Sequence, residues 1–418
     1  MKICSLYGAG FYYIPGTDTC IKLGGWVRTE YNYEAGGSFL QIKANGFDRN
    51  TAQNAWRTRG IITLDTRTQT DYGTLRSYIA GGFQHTETGQ NNGDYGGPSV
   101  YTPRAFIQLG GFTAGLAQSF YDFYSTPAYS NTTNILGADT GGGGDNVFAY
   151  TAQFGNGLSA SLSVEDDSQR RTGITGNGVL GGAYAATSVP DLVANLNVAQ
   201  TWGSAQVMGA LHQVQAGYYT SAVPGSGHPG NEVGFAVGAG LTVNLPMLGR
   251  GDTLSGEVDY TEGAMNYMGN HIGNFVLTQG ASVGQGSAYD AVYGAAGSGL
   301  NLTKAWSVVG GFKHVWTSQW NTTAYGAYGA VNYDEAAIGM TPAKGSADWN
   351  FWYVGSRTTW SPVANLDLSV DVMYNKLNTA NAIVTGGSAA AGFGTAVVNP
   401  TNVDWFQAMF RVQRNFYP

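Results

Sequence analysis

Segments with a period of two recur along the whole chain, and they constrain its fold more than any other feature. In residues 366–374 an apolar face alternates with a largely polar one: Leu366, Leu368, Val370, Val372 and Tyr374 against Asp367, Ser369, Asp371 and Met373. Residues 21–33 and 55–71 alternate in the same way. Successive side chains of a strand point to opposite faces, so each segment predicts a strand with two chemically different faces.

The connections between these segments are alternately short and long. Short ones contain turn residues, as in residues 110–111 and 155–157, whereas long ones cover ranges such as 121–145 and 317–348. We place the strand starts near residues 20, 55, 74, 100, 112, 146, 158, 191, 205, 232, 252, 288, 305, 349, 365 and 403. Short turns at one end and long loops at the other, over an even number of strands, are typical of outer-membrane barrels. A propeller would show a fixed-length repeat, and the sequence has none.

The composition favours a barrel that faces lipid outside and water inside. Charged residues are 11% of the 418 residues, against about 25% in soluble domains. The sequence has no run of about 18 apolar residues, which excludes a membrane-spanning helix. We therefore predict an all-β fold: a sixteen-stranded antiparallel transmembrane β-barrel with short periplasmic turns and long external loops. The third long connection is rich in Gly and Tyr and carries few charges, a composition that would allow it to fold back into the lumen.

The chain divides into two parts without a linker. Residues 1–19 form an N-terminal segment on the periplasmic side, and residues 20–418 form the barrel, with residues 121–145 as the loop that constricts it. Cys4 and Cys20 flank a turn signal. A disulfide between them would close a short loop, contribute about 3 kcal/mol and imply an oxidising compartment. Two unlinked small residues are the alternative.

Basic residues cluster on the inward face of the predicted strands. Because closure of a barrel places the last strand beside the first, they line one wall of the pore: Lys22, Arg28, Arg57, Arg59, Arg67, Arg76, Arg104, Arg357 and Arg411. An arginine on the lipid face would cost ~2–4 kcal/mol at the bilayer midplane, which favours the pore wall. The alternative is solvated arginines paired with Glu30, Asp65 and Asp71.

The acidic residues lie elsewhere in the sequence. Asp122, Asp139 and Asp145 belong to the third long connection, and we predict that they face the arginine wall and create a transverse field. Aspartates that cap turns are the alternative for each of them. The formal net charge of −7 argues against nucleic acid as a partner and favours a weak preference for cations.

Catalytic and cofactor motifs are weak. Residues 176–181 fit G-x-G-x-x-G but precede no helix, and the five histidines lack metal-ligand spacing. There is no G-x-S-x-G nucleophile motif. We expect a protein that is not an enzyme and has no cofactor, with Ca²⁺ at Asp139 or Asp145 as a minor alternative.

Three segments resemble the general porins of alphaproteobacteria. They are residues 4–25 (CSLYGAGFYYIPGTDTCIKLGG), residues 104–112 with 117–122, and residues 410–416 (FRVQRNF). The resemblance implies a sixteen-stranded barrel, a homotrimer, an inward-folded third loop, a Cys4–Cys20 disulfide and passive diffusion of small hydrophilic solutes. It also implies an integral outer-membrane protein that contacts lipid and lipopolysaccharide and is inserted by the barrel-assembly machinery. Tyr417 and Pro418 follow the aromatic residue at which members of this family usually end.

We therefore predict a general diffusion porin. A channel selective for sugars or small organic anions is the alternative, although sugar selectivity would favour a ladder of lumen aromatics that Trp26, Phe106 and Trp352 do not obviously form. A plugged barrel without a transport role would need a long inserted domain, and no connection in the predicted strand order is long enough to supply one.

Overall fold

Sixteen antiparallel strands form one closed barrel. The computed structural model describes residues 3–34, 52–87, 98–132, 136–176, 184–220, 223–269, 275–279, 282–294, 296–334, 346–379 and 400–416. The barrel strands are β1 (Cys20–Tyr33), β2 (Asn54–Thr70), β3 (Gly73–Glu87), β4 (Pro98–Leu109), β5 (Phe112–Ala117), β6 (Asp145–Gly155), β7 (Leu158–Glu165), β8 (Asp191–Gln200), β9 (Gly203–Gln215), β10 (Asn231–Asn244), β11 (Thr253–Glu262), β12 (Lys304–Val315), β13 (Trp320–Asn332), β14 (Trp349–Val363), β15 (Leu366–Asn378) and β16 (Val403–Asn415). Each strand pairs with the next along the chain.

The last strand closes the barrel against the first. Trp26 of β1 lies opposite Asn415 of β16, and the ladder runs to Tyr33 opposite Ala408. Closure gives each strand two neighbours, so the backbone polar groups of the wall are satisfied within the sheet, as a membrane requires. The alternation sets the faces: Leu23 and Val27 of β1 are exposed on the outside, whereas Glu30 is buried inside.

The predicted count of sixteen strands is confirmed, but one predicted strand is wrong. We expected a strand from residue 288, a short turn at residues 303–304 and a long connection over residues 317–348. The structure instead has β13 at Trp320–Asn332 and a long connection before β12. The outward positions of β13 include Ala324, Gly326 and Ala330, which weaken its apolar alternation. Residues 291–293 form a short buried strand in the lumen, and their apolar character favoured the prediction of a wall strand there.

The helical segments are short. Helix α1 (Thr126–Tyr129) has one turn, and 3₁₀ turns occur at Ser5–Tyr7, Pro224–Ser226 and Met265–Tyr267. No helix in the described ranges has the length and apolar character needed to cross a membrane.

The connection between β5 and β6, residues 118–144, folds into the barrel, and we call it the constriction loop. It contains α1, and Tyr121 and Tyr124 are fully buried within it. Strand β5 has only six residues, because the chain leaves the wall early to enter the lumen. The inward fold of the third loop thus agrees with the prediction, with boundaries shifted by a few residues.

A second connection, residues 263–303 between β11 and β12, also enters the lumen. Its turn at Met265–Tyr267 is buried, and the Gly137 N–H of the constriction loop donates to the Met268 carbonyl at 3.0 Å. Its hairpin, Phe275–Gln279 with Ser282–Gly286, reaches the inner face of the wall, where Gly284 approaches Val403 and Leu377. From the sequence we expected a loop over the first part of this insertion and a barrel strand from residue 288.

These two connections divide the lumen into unlike halves. Along β11 to β15, which we call the filled half, the inner wall and the two connections form one buried apolar cluster that includes Met265, Met268, Leu277, Phe351, Tyr353, Met373 and Leu377. Along β1 to β4 and the middle of β16, which we call the open half, the inner wall is polar and borders a cavity.

The N-terminal segment is fixed at the short-turn end of the barrel. Cys4 and Cys20 form a disulfide with a Cα–Cα distance of 6.1 Å, which confirms the predicted pairing. Tyr12–Tyr13 adds a short strand to the start of β1, with Tyr13 opposite Cys20. Phe11 packs against the disulfide.

Candidate functional site

The open half encloses a cavity of about 480 Å³ between the wall and the constriction loop. The wall contributes Trp26, Arg28, Arg57, Arg59, Ile61, Thr63, Tyr78, Ala80, Tyr101, Pro103, Arg104 and Arg411. The loop contributes Thr126, Pro127, Ser130, Asn131, Thr132, Asp139 and Gly141 to Gly143. Five of the predicted arginines therefore meet at one place, together with one of the three predicted aspartates.

The alternation of β1 and β2 positions three of these arginines. In the ladder between the two strands Arg28 lies directly opposite Arg59, and Glu30 lies opposite Arg57. The guanidinium carbon of Arg28 is 4.1 Å from the centre of the Trp26 ring, and that of Arg59 is 5.7 Å from the same ring. Arg57 donates to the Gln84 side chain. Stacking on aromatic faces is favourable for guanidinium groups and restricts their orientation.

Arg411 joins the last strand to the first and to the loop. It forms an ion pair with Glu30 at 3.0 Å, and it donates to the side-chain oxygen of Asn131 at 3.0 Å. Glu30 is 1% exposed, so it lies behind the arginines and not in the cavity. The alternative of arginines paired with carboxylates thus describes Arg411, and it also describes Arg67 and Arg76. Arg411 nevertheless lines the cavity.

Arg67 and Arg76 lie away from this cavity, near the short-turn end. Both bind Asp65, at 2.8 and 3.0 Å. The guanidinium carbon of Arg67 is also 4.9 Å from the Phe11 ring of the N-terminal segment. Lys22 lies in the same region and donates to the Ala9 carbonyl at 3.4 Å. These residues belong to the mouth of the barrel under the N-terminal segment.

Carboxylates of the wall hold the constriction loop through its backbone. Glu257 of β11 accepts the N–H groups of Tyr124 at 2.6 Å and Ala138 at 3.1 Å. Asp371 of β15 accepts the N–H of Asn131 at 2.6 Å. Each such hydrogen bond contributes about 1 kcal/mol, so together these contacts hold the loop across the lumen.

Arginines of the wall bind the carbonyl groups of the same loop. Arg357 of β14 donates to the carbonyls of Pro127 at 2.9 Å and Ala128 at 2.7 Å. Arg104 of β4 donates to the carbonyl of Gly141 at 3.1 Å. Arg357, which we expected on the pore wall, therefore anchors the loop from the filled side.

Asp122 and Asp145 differ from the expectation that they face the arginine wall. Both are turned towards Arg170, which lies 3.4 Å from Asp122 and 3.9 Å from Asp145. Their side chains are 0% and 1% exposed, so neither borders the cavity. The reason is a long-range contact: Arg170, from the connection after β7, is buried and draws both carboxylates behind the loop.

Burial also changes the acidity of Asp122. It raises the pKa of this carboxyl to about 7, against the opposing effects of Arg170 and of hydrogen bonds from Thr140. The Thr140 N–H donates to Asp122 at 2.6 Å. Asp122 therefore joins the two ends of the loop, a role that differs both from facing the arginines and from capping a turn.

Asp139 is the predicted aspartate that reaches the cavity. Its carboxylate accepts the N–H of Thr126 at 2.9 Å and that of Gly141 at 2.7 Å. It therefore caps α1 and a glycine turn while it borders the cavity. In the described part of the chain no group of three or more His, Cys, Asp or Glu side chains could hold a metal ion, so Ca²⁺ at Asp139 or Asp145 stays a prediction without support.

Some residues of the site carry no clear signal in the sequence. Glu257, Asp259 and Asp371 bind the loop, and the sequence does not indicate it because their partners are more than one hundred residues away. Arg170 follows β7 in a connection that we expected to be external, and its burial was not predicted. Trp26 was considered as a possible sugar contact, whereas in the structure it supports two arginines.

A closed barrel with an apolar outer surface, a polar cavity and an inward loop defines an integral transmembrane β-barrel of the outer-membrane type. A porin family model with the description "Porin subfamily" matches residues 1–399. The chain belongs to this porin family, and its place is the bacterial outer membrane.

Individual relatives agree with this assignment. The chain is 29% identical over 212 residues to porin Omp2b of Brucella abortus, a match that covers 49% of this chain and 54% of the relative. Porin Omp2b of Brucella suis is 30% identical over 219 residues, with 49% and 55% covered. The match thus spans about half the length of these curated relatives.

Solved structures share the fold. The outer membrane channel DcaP of Acinetobacter baumannii superposes with a TM-score of 0.64 at 15% identity and covers 97% of this chain and 99% of its own. OmpF of Salmonella typhi, in complex with daunomycin, gives a TM-score of 0.51 at 11% identity, with 97% and 100% covered.

Proposed function

We propose that the protein is a diffusion channel of the outer membrane, through which small hydrophilic solutes and ions pass passively. The observation that carries the proposal is the open half: a cavity with charged and hydroxyl groups on the wall and on the loop that constricts it. Sixteen strands enclose a lumen wide enough for water, and the two inserted connections reduce it to the space along the arginines. Such a channel needs no catalytic group.

Selectivity for one solute class is the second candidate. The arginine cluster favours small organic anions, the class named as an alternative from the sequence. The aromatic residues that line the cavity support sugars less well, because Trp26 and Tyr101 stack on guanidinium groups.

Conductance in planar lipid bilayers tests the proposal. The purified protein should give stepwise current increments in KCl, and liposomes that contain it should swell in small neutral sugars. The same protein, heat-denatured and shown by circular dichroism to lack β-structure, is the control. A correctly folded barrel that gives neither current nor swelling would contradict the channel function.

We also propose a homotrimer, with contacts through β1 to β3. The outer surface is not uniform. Exposed residues on β9 to β11 are strongly apolar, including Val207, Leu211, Val237, Leu241 and Val258. The outward face of β1 to β3 also carries small and polar residues, and Thr29 and Thr58 lie 3.1 Å apart there. Polar groups are costly against lipid, so we assign β1 to β3 to a protein contact and the apolar sector to lipid and lipopolysaccharide.

Matched glycine substitutions test the trimer. A tryptophan at Gly60, on the outward face of β2, has space within the monomer but would block the proposed contact. Gly209 on β9 offers the control, since a side chain there meets only ordinary contacts and would face lipid. Native mass spectrometry should give three times 44.0 kDa for the parent and Gly209→Trp, and a loss of trimer for Gly60→Trp. A monomeric parent would exclude the trimer. Insertion by the barrel-assembly machinery stays a prediction.

A further inference from the structure

The cavity of the open half carries more positive than negative charge. Among the described residues that line it, the guanidinium groups are those of Arg28, Arg57, Arg59, Arg104 and Arg411, and the carboxylate is that of Asp139. Glu30 is the nearest carboxylate behind them, and it is bound to Arg411. Positive charge remains in excess when both carboxylates are counted.

Folding alone does not explain this cluster. Arg28 and Arg59 are direct cross-strand partners, and like charges in that position destabilise a sheet. Arg57 and Arg59 are also 5% and 6% exposed, so they give up most of their contact with water. A bound or passing anion would offset both costs.

The aromatic residues hold the arginines in place for such an anion. Trp26 supports Arg28 and Arg59, and the guanidinium carbon of Arg59 is also 5.1 Å from the Tyr101 ring. Tyr101 in turn donates to the Gly142 carbonyl of the loop. Arg28 also donates from Nε to the side-chain oxygen of Gln413 at 2.9 Å, which fixes its guanidinium group further. Planar guanidinium groups match carboxylate and phosphate oxygens in a bidentate manner.

The facing loop adds little negative charge. Ser130 and Asn131 present neutral groups, and the carboxylate of Asp139 is engaged by two backbone N–H groups. Asp122 and Asp145 are turned towards Arg170. The positive charge of the wall is therefore not matched by negative charge on the loop, as the transverse field expected from the sequence would require.

We propose that this cluster makes the channel anion-selective and binds small oxyanions, namely carboxylates and phosphates, during passage. This inference rests on the proposed channel function and specifies its substrate class. It is opposite in sign to the weak cation preference expected from the net charge of −7, because much of the negative charge is placed outside the cavity.

Two measurements on the same channels test the inference. The reversal potential across a KCl gradient gives the permeability ratio of chloride to potassium, and added inorganic phosphate should reduce the chloride current of the parent. A unit charge about 7 Å from an ion in water changes the local concentration of that ion roughly threefold, in opposite directions for chloride and potassium. Screening near 0.1 M salt roughly halves the interaction energy, so each arginine removed should lower the permeability ratio by roughly a factor of three. The variants are Arg28→Gln, Arg59→Gln and their combination.

Further variants separate charge from geometry. Arg414→Gln removes one positive charge from the outer face of β16 and should leave the ratio unchanged. Arg28→Lys with Arg59→Lys keeps the charge, so chloride preference should persist, while the reduction of current by phosphate should weaken because lysine lacks the bidentate edge. Heat-modifiable migration on gels confirms that each variant is folded.

The outcomes distinguish this inference from the channel function. Current steps with a potassium preference in the parent would overturn anion selectivity and leave the channel intact. Current steps with chloride preference that survives in the double glutamine variant would overturn the role of the cluster. A folded parent without any current would overturn the channel function and this inference with it. Phosphate without effect on the parent would overturn the oxyanion site.

Discussion

The open and filled halves of the lumen belong to the same sheet, yet their inward side chains differ in polarity. On β1 to β4 the inward positions include four arginines that face a cavity, as expected for a porin wall. On β14 and β15 the inward positions include Phe351, Tyr353 and Leu377, which are fully buried under the inserted connections. The inner face of a large barrel is therefore polar only where water remains, and a loop that fills the lumen converts the wall beside it into an ordinary apolar core.

Removal of the inserted hairpin should change the difference between the two halves more than any other variant, because it opens the filled half to water. Replacing residues 275–286 by a short glycine-serine linker takes away Leu277 and uncovers the apolar inner face of β14 to β16. We expect unitary conductance to rise by about a factor of two, since a second part of the sixteen-strand lumen opens to water. Single-channel recordings measure the change. An unchanged conductance in a folded variant would show that the hairpin does not occlude the lumen.

Two substitutions should show that side chains of the filled half contribute more to the free energy of unfolding than those of the open half. Phe351→Ala leaves a cavity in the filled half and should lower the free energy of unfolding by about 3–5 kcal/mol. Arg59→Gln relieves the repulsion from Arg28, so we expect a change of less than about 1 kcal/mol in either direction. Denaturant unfolding in detergent micelles gives both values. Similar losses for the two variants would mean that the halves contribute equally to stability.

The buried carboxyl of Asp122 should make stability depend on pH. Its pKa is about 7 in the folded protein, against an ordinary value of 3.8 in the unfolded chain. Between these values the folded state binds the extra proton, so the free energy of unfolding should decrease as pH rises from 4 to 7. We expect the protein to be more stable at pH 5 than at pH 8 by about 1–4 kcal/mol.

Asp122→Asn is the variant that tests this origin. It keeps the shape of the side chain without its titration, so the difference in stability between pH 5 and pH 8 should be smaller than in the parent. Asp18→Asn, at an exposed turn, is the control and should keep the difference. An equal pH dependence in Asp122→Asn and the parent would assign the effect to other groups.

The smallest effect is expected at the mouth of the barrel. Arg76→Gln removes one of two ion pairs to Asp65, whose partner Arg67 remains. Pairs with this exposure contribute about 0–1 kcal/mol, so stability should change little. The chloride to potassium ratio should also change less than in Arg28→Gln, because Arg76 lies outside the cavity. A larger loss of selectivity from Arg76→Gln than from Arg28→Gln would move the selective region to the short-turn end.

All wall strands except β13 could be predicted from the sequence, whereas the arrangement inside the lumen could not. Strands with outward Leu and Val, such as β1 and β15, are visible from alternation alone. The wall positions of Arg28, Arg59 and Arg411 follow from the same alternation and from closure of the barrel. Strand β13 was missed because alanine and glycine occupy its outward positions, and a buried insertion imitated a strand in its place.

The contents of the lumen depend on contacts that no local pattern contains. Whether Asp122 faces the arginines or turns away is decided by Arg170, which lies 48 residues further along the chain. The hold of Asp371 on Asn131 joins residues 240 positions apart. The composition of the loop and the resemblance to porins predicted that it enters the barrel, but its orientation there is set by partners that only the folded chain brings together.

The pairing of β16 with β1 has a consequence for assembly. Arg411 and its partner Glu30 are 381 residues apart, and Arg411 completes one side of the cavity beside Arg28. Contacts of such separation carry a large loop-closure cost and are late to form. A partly inserted sheet therefore lacks Arg411 beside Arg28, so the arginine cluster is completed in the same step that closes the barrel.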